Sequence, residues 1–215
     1  MIIRSISLAI VVLFAAAAVA AQGHDQPTPK PVSGGISYGF VVDNSGSYRP
    51  LLDRVITLVR SVAEKNSSGD EAFLVTFVDV PKIVIRQELT SEKAELVEAA
   101  ENMFIEGGPT AVLDAVRLAL EHLSANARKE DGRRKALLLI TDGDDRSSQA
   151  KVETVIALAK DANIRIVVVG MTDDRLNTKL LDRLAKETGG TAFYPKTPKE
   201  MTGAIDSIST AIRRN

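Results

Sequence analysis

Residues 136–141 read Ala-Leu-Leu-Leu-Ile-Thr and are followed directly by Asp142-Gly143-Asp144-Asp145. A short apolar run that ends in polar, turn-forming residues is typical of a strand buried on both faces of a sheet. A second run, residues 36–42, has the same character and ends at Asp43. Both runs therefore predict buried strands, each with a carboxylate immediately after it.

Short apolar segments alternate with longer segments of helical periodicity over the rest of the chain. We predict further strands at 73–78, 83–87, 164–169 and 191–194, with a tight turn through Asp79-Val80-Pro81 between the first two. We predict helices after Pro50 and over 92–103, 111–123, 148–161, 176–186 and 198–213. This alternation predicts βαβ units and hence an α/β fold with a mostly parallel sheet.

Composition is consistent with such a sheet and excludes several kinds of chemistry. Hydrophobic residues make up 45% of the chain and aromatic residues only 4%, so the core depends on aliphatic side chains, which suits a sheet with helices on both faces. The net charge of -1 and the lack of a basic face argue against nucleic acid as a partner. Without cysteine, any metal must be held by oxygen or imidazole ligands.

The N-terminus has the features of a secretory signal peptide over residues 1–21. Arg4 precedes an apolar run at 6–17, and Ala18-Val19-Ala20 supplies the small residues of a cleavage site, with cleavage after Ala20 or Ala21. The run is shorter than the ~20 apolar residues that span a bilayer, so we expect no stable membrane span after cleavage. We therefore expect an exported protein, periplasmic or secreted.

Residues 22–35 contain three prolines and a Gly34-Gly35 pair, which predicts a linker without packed structure. Residues 36–215 then form one domain, which we expect to be a monomer.

Three polar loops follow predicted strands or open predicted helices. They are Asp43-Asn44-Ser45-Gly46-Ser47, Gly107-Gly108-Pro109-Thr110 and Thr141-Asp142-Gly143-Asp144-Asp145. Ligands of parallel sheets bind at the carboxyl ends of the strands, where these loops should meet. Hydroxyl and carboxylate oxygens suit a hard cation, most simply Mg²⁺, with Mn²⁺ and Ca²⁺ as alternatives. Because hydroxyl ligands leave the cation under-neutralised, we expect it to attract a carboxylate from a partner protein.

The D-x-S-x-S spacing after an apolar strand resembles the metal-ion-dependent adhesion site of von Willebrand factor type A (VWA) domains, with the other two loops in the same order as in that family. The resemblance covers residue 36 to the C-terminus and is closest to the bacterial exported type. It implies a doubly wound, Rossmann-like sheet with one short antiparallel strand. It also implies a protein-binding or cell-adhesion function, with metal-site positions at Asp43, Ser45, Ser47, Thr110 and Asp142. Many relatives have Met where this chain has Tyr48.

Structural roles are the alternatives for the individual loop residues. Asp43, Ser45 and Thr110 are all of the types that cap helices. For Asp144 and Asp145 we predict a solvated first turn of the helix at 148–161, with partner selection as the alternative. We expect Met103 and Phe104 to pack in the core.

Two other functions remain as alternatives to metal-dependent binding. A magnesium-dependent phosphotransferase or phosphatase would use Asp43, but such enzymes generally need a second acid where this chain has Ser45. A metal-free structural scaffold is the other. Neither His24 nor His122 lies in a strand-end loop, which argues against a Ser-His-Asp triad and leaves no catalytic residue to predict.

Overall fold

Six strands form one sheet in the residues that the computed structural model describes, which are 34–130, 132–172 and 176–214. The predicted signal peptide and the predicted linker up to residue 33 lie outside the described residues. In chain order, the strands are Ile36–Asp43 (β1), Glu71–Phe77 (β2), Val84–Thr90 (β3), Arg134–Thr141 (β4), Arg165–Gly170 (β5) and Ala192–Phe193 (β6).

The sheet has the order β3-β2-β1-β4-β5-β6 and is parallel except at the β2–β3 pair. The predicted α/β class, with its mostly parallel sheet and one antiparallel strand, is confirmed. Strand order reverses between β1 and β4, which are neighbours in the sheet although about 100 residues separate them in the chain. The loops after these two strands therefore leave the sheet side by side.

The α-helices are Leu52–Ala63 (α1), Lys93–Glu101 (α2), Val112–Asn126 (α3), Val152–Asp161 (α4), Thr178–Glu187 (α5) and Pro198–Arg213 (α6). They cover both faces of the sheet and enclose two apolar clusters. One cluster contains residues of α1, α2 and α6, and the other contains residues of α3, α4 and α5. Alternate residues of β1 belong to opposite clusters, with Phe40 in the first and Val41 in the second. This explains why β1 has no polar face.

Three local predictions differ from the structure. Pro50 lies inside a 3-10 helix, Gly46–Leu51, and α1 begins only at Leu52. The predicted tight turn before β3 is a short 3-10 helix, Val80–Lys82. Phe104 was expected in the core but is half exposed, whereas Met103 is buried as expected. Arg86 from β3 lies over the Phe104 ring at 4.8 Å, so this aromatic side chain is covered by a cation instead of by the core.

Candidate functional site

The ends of β1 and β4 bring the first and third polar loops together. Asp43 is the last residue of β1, and Thr141 is the last residue of β4. The Thr141 hydroxyl donates a hydrogen bond to Asp43 Oδ2 at 2.8 Å, and Thr141 Oγ1 accepts one from the Gly143 amide at 3.1 Å. Thr141 therefore fixes the Asp43 carboxylate and begins the turn that carries Asp142.

Ser45, Ser47 and Asp142 form a continuous chain of polar contacts. Ser45 Oγ lies 3.1 Å from Ser47 Oγ, and the Ser47 hydroxyl donates to Asp142 Oδ2, also at 3.1 Å. Ser47 and Asp142 are 95 residues apart in the sequence, so this contact depends on the β1–β4 pairing. The fold thus places two hydroxyls and one carboxylate within contact of one another, as the order of the loops predicts.

Asp43 lies beneath this chain of contacts, with a side chain that is almost inaccessible to solvent. The residue is 1% exposed, and its Oδ1 accepts a hydrogen bond from the Ser45 amide at 3.0 Å. Burial raises the pKa of the Asp43 carboxyl from 3.8 to about 6, because the hydrogen bonds from Ser45 offset only part of the lost hydration. Burial also raises the pKa of Asp142. The site therefore holds two carboxyl groups that are costly to ionise without a nearby positive charge.

Thr110, in the second loop, joins the site through a contact with the third loop and does not cap α3. Its hydroxyl donates to the carbonyl oxygen of Asp144, and no side chain caps α3 from the position before Val112. The Thr110 carbonyl in turn accepts hydrogen bonds from the amides of Arg146 and Ser147, at 2.8 and 2.9 Å. These contacts rule out the helix-cap alternative for Thr110 and attach its loop to the Asp142 loop.

The three loops enclose a cavity of about 280 Å³ at this edge of the sheet. Four of the five predicted site residues line it, and Asp43 is the exception. The full lining is Ser45, Gly46, Ser47, Gly107, Gly108, Pro109, Thr110, Asp142, Asp144, Arg146 and Thr172.

The segment after Asp142 caps α3, and this corrects the prediction for Asp145. Asp145 Oδ1 accepts a hydrogen bond from the Val112 amide at 2.9 Å, and Ser148 Oγ accepts one from the Leu113 amide at 3.0 Å. In return, the buried Asp114 carboxylate accepts hydrogen bonds from the amides of Gln149 and Ala150. Helix α4 begins only at Val152, so Asp144 and Asp145 do not lie in its first turn, and that prediction was wrong.

The donor set fits a small divalent cation. Ligands about 2.1 Å from Mg²⁺ in octahedral geometry have neighbouring oxygens about 3.0 Å apart. The two oxygen–oxygen distances along the Ser45, Ser47 and Asp142 chain are both 3.1 Å, longer than the usual O–H···O hydrogen bond of about 2.7–2.8 Å. Within the described residues, no group of three or more His, Cys, Asp or Glu side chains could hold a metal. A site here would therefore depend on its hydroxyls.

Comparison with known proteins identifies the family of the chain. The family model of the von Willebrand factor type A domain matches residues 39–207. The chain belongs to this family. Among curated proteins, this VWA domain is similar to the collagen alpha-6(VI) chain of Mus musculus, with 26% identity over 140 residues. The matched region covers 61% of this chain and only 6% of that collagen chain.

Solved structures share the fold of this VWA domain at low sequence identity. An aerotolerance-related membrane protein from Bacteroides fragilis has a TM-score of 0.66 and 20% identity, with 83% of this chain and 98% of that chain covered. A von Willebrand factor type A protein from Catenulispora acidiphila has a TM-score of 0.71 and 16% identity, with 83% of this chain and 43% of that chain covered. No helix among the described residues of the VWA domain is both long and apolar enough to cross a membrane.

Two contributors to the site were missed in the sequence. Thr141 orients Asp43, and its only signal is a hydroxyl at the end of an otherwise apolar strand. Arg146 lines the cavity and is paired with Asp144. It was missed because the acidic residues beside it in the sequence indicated the start of a helix. Tyr48, at which the first loop departs from the family resemblance, is buried. Its hydroxyl donates to the Met171 carbonyl at 3.0 Å and so connects the first loop to the chain after β5.

Proposed function

We propose that this VWA domain is a protein-binding module of the adhesion type, which holds a partner's Asp or Glu carboxylate through a divalent cation at a metal-ion-dependent adhesion site. The supporting observation is the pair of 3.1 Å oxygen–oxygen distances that join Ser45, Ser47 and Asp142. Ser45, Ser47 and Thr110 would supply neutral ligands, and Asp142 would supply charge. Mg²⁺ suits this set best, with Mn²⁺ and Ca²⁺ as alternatives.

Asp43 has a supporting role in this proposal. Its carboxylate lies beneath the cavity and orients the Ser45 amide, so it would act on the cation through its charge or through an intervening water. A bound divalent cation would offset the burial of both Asp43 and Asp142. Without such an ion, ionisation of these two carboxyl groups would oppose folding.

A binding function is favoured over catalysis by the position of Asp43. A nucleophilic carboxylate must reach its substrate, but both oxygens of Asp43 accept hydrogen bonds from the chain, and its side chain does not line the cavity. Lysine is also absent from the described residues that line the cavity. The phosphotransferase alternative therefore has no structural observation in its favour.

Thermal unfolding with Mg²⁺, with Mn²⁺ and with EDTA tests the metal site. A ligand that binds only the folded state raises stability by about 2.7 kcal/mol at 100 times its Kd. We expect the metals to raise the Tm of the wild type and of Ser207→Ala, a control in an exposed position of α6. We expect no such increase for Ser45→Ala relative to the Tm of the same variant in EDTA. If millimolar metal leaves the wild-type Tm unchanged, the metal-free scaffold is the better hypothesis.

We also propose that the protein is exported, to the periplasm or to the exterior, and that residues 1–21 are removed. The support is the Arg4 start, the short apolar run and the Ala18-Val19-Ala20 sequence. N-terminal sequencing of the protein from cell fractions should give Ala21 or Gln22 as the first residue. Recovery with Met1 intact in the cytoplasm would contradict export.

A further inference from the structure

Arg146 is a cation among the residues that line the cavity. Its backbone amide donates to the Thr110 carbonyl at 2.8 Å. Its guanidinium contacts Asp144 Oδ2 through Nε at 2.6 Å and through Nη2 at 2.5 Å. The Arg146 side chain nevertheless remains 68% exposed. The backbone of Arg146 is therefore attached to the Thr110 loop, and its side chain has a carboxylate partner although it is largely exposed.

The contacts with Asp144 use only part of the hydrogen-bonding capacity of Arg146. A guanidinium has five N–H donors, and Asp144 is the one carboxylate within ion-pair distance of Arg146 among the described residues. The backbone of Asp144 is fixed, because its amide donates to Asp142 Oδ1 at 2.9 Å and its carbonyl accepts from Thr110. Arg146 lines the cavity together with Ser45, Ser47, Thr110 and Asp142, so the donors that Asp144 does not use can serve a ligand bound there.

We propose that Arg146 determines the specificity of the site by giving the partner's carboxylate a second contact, so that an anionic ligand is selected over a neutral one. This inference rests on the proposed function. A carboxylate has two oxygens, and a cation that takes one leaves the other to accept from a guanidinium, which forms stronger hydrogen bonds with an ionised acceptor than with a neutral one. A neutral amide would lose most of this second contact.

The same residue should disfavour the metal. The positive charge of Arg146 acts on Asp142, so removal of that charge leaves the cavity more negative. Arg146→Gln should therefore bind Mg²⁺ at least as tightly as the wild type while binding a carboxylate ligand less tightly. A residue that only stabilised the loops would weaken both.

The test uses two blocked peptides as probes, acetyl-Gly-Glu-Gly-amide and acetyl-Gly-Gln-Gly-amide, with the whole domain at saturating Mg²⁺. Mg²⁺ affinity without peptide is measured by calorimetry, and peptide affinity is measured from NMR shifts of the Thr110 and Ser47 amides. The variants are Arg146→Gln and Arg146→Lys. Arg183→Gln is the matched control, since Arg183 is also paired with carboxylates but lies on α5 and does not line the cavity.

We expect Arg146→Gln to bind the Glu peptide about three- to tenfold more weakly, as for an exposed charged contact. Arg146→Lys should recover part of this loss, and Arg183→Gln should match the wild type. Equal affinity of Arg146→Gln and the wild type for the Glu peptide would overturn this inference and leave the proposed function intact. A parallel loss of Mg²⁺ affinity would overturn it as well, by showing a structural role. If the wild type binds the Glu peptide no better with Mg²⁺ than with EDTA, the proposed function fails and this inference fails with it.

Discussion

Replacement of Asp43 by Asn should stabilise the domain in EDTA, although it removes a residue of the site. The Asp43 side chain is buried, and its carboxyl has a pKa of about 6 in the folded state against 3.8 ordinarily. Without a cation, ionisation of Asp43 therefore opposes folding at neutral pH. An amide of nearly the same shape has no charge to bury.

The size of the effect follows from the two pKa values. A change from 3.8 to about 6 corresponds to about 3 kcal/mol, since each tenfold change in proton affinity is worth about 1.4 kcal/mol. The Asn side chain can still accept from the Ser45 amide, but its NH₂ group would face the Thr141 hydroxyl, and one lost hydrogen bond costs about 1 kcal/mol. The net gain is about 2 kcal/mol, or about 4–8 °C in Tm for a domain of this size.

The pH dependence has a definite sign. Between pH 3.8 and about 6, the folded wild type keeps the Asp43 proton that the unfolded chain releases, so the contribution of this group to stability falls as pH rises. Above pH 6 the contribution stays constant. The advantage of Asp43→Asn should therefore be complete at pH 8 and absent near pH 3.5.

Urea unfolding in EDTA at pH 8 and at lower pH measures this difference directly, with Asp161→Asn as a control at an exposed position in the last turn of α4. Saturating Mg²⁺ should reverse the order at pH 8, because the wild type gains more from the cation than the variant does. The reasoning is refuted if Asp43→Asn is less stable than the wild type in EDTA at pH 8, or if the difference does not change with pH.

Three further substitutions test other contacts of the fold. Tyr48→Phe removes the hydrogen bond to the Met171 carbonyl and should lower the free energy of unfolding by about 1 kcal/mol; an altered Mg²⁺-induced Tm shift would show that Tyr48 influences the metal site. Asp145→Ala removes a cap from α3 and should lower the free energy of unfolding, measured in urea, by about 1 kcal/mol; an unchanged urea midpoint would contradict the capping role. Gly190→Ala places a methyl carbon 1.9 Å from the Ile166 carbonyl oxygen, so this variant should lose more than about 3 kcal/mol or fail to fold, and near wild-type stability by circular dichroism would contradict this close approach.

The central sheet and most of the site could be predicted because their signals are local. Buried parallel strands are apolar on both faces, and this alone identified β1 and β4 together with the carboxylates at their ends. Since strands in such a sheet end at one edge, the order of the loops was enough to predict that Ser47 and Asp142 would lie close together. The position of α6 was also predicted correctly, because Pro198 marks its first turn.

The features that were missed depend on partners distant in the chain. Asp145 and Ser148 have the pattern of a helix start, but they cap a helix about 35 residues earlier in the sequence, so α4 begins later than predicted. Phe104 has the spacing of a core residue, but it lies after the end of α2 and contacts Arg86 of β3. Neither partner can be inferred from a local window of sequence.

The 98 residues that separate Asp43 from Thr141 also bear on the folding kinetics of the domain. Contacts between distant residues form slowly, because a long loop must close before they contribute any free energy. The pairing of β1 with β4 joins the two halves of the sheet, and the complete ligand set exists only after this step. If the step follows the folding transition state, a bound cation should leave the refolding rate nearly unchanged and slow unfolding instead. Occupancy of the site would then prolong the lifetime of the folded domain without speeding its assembly.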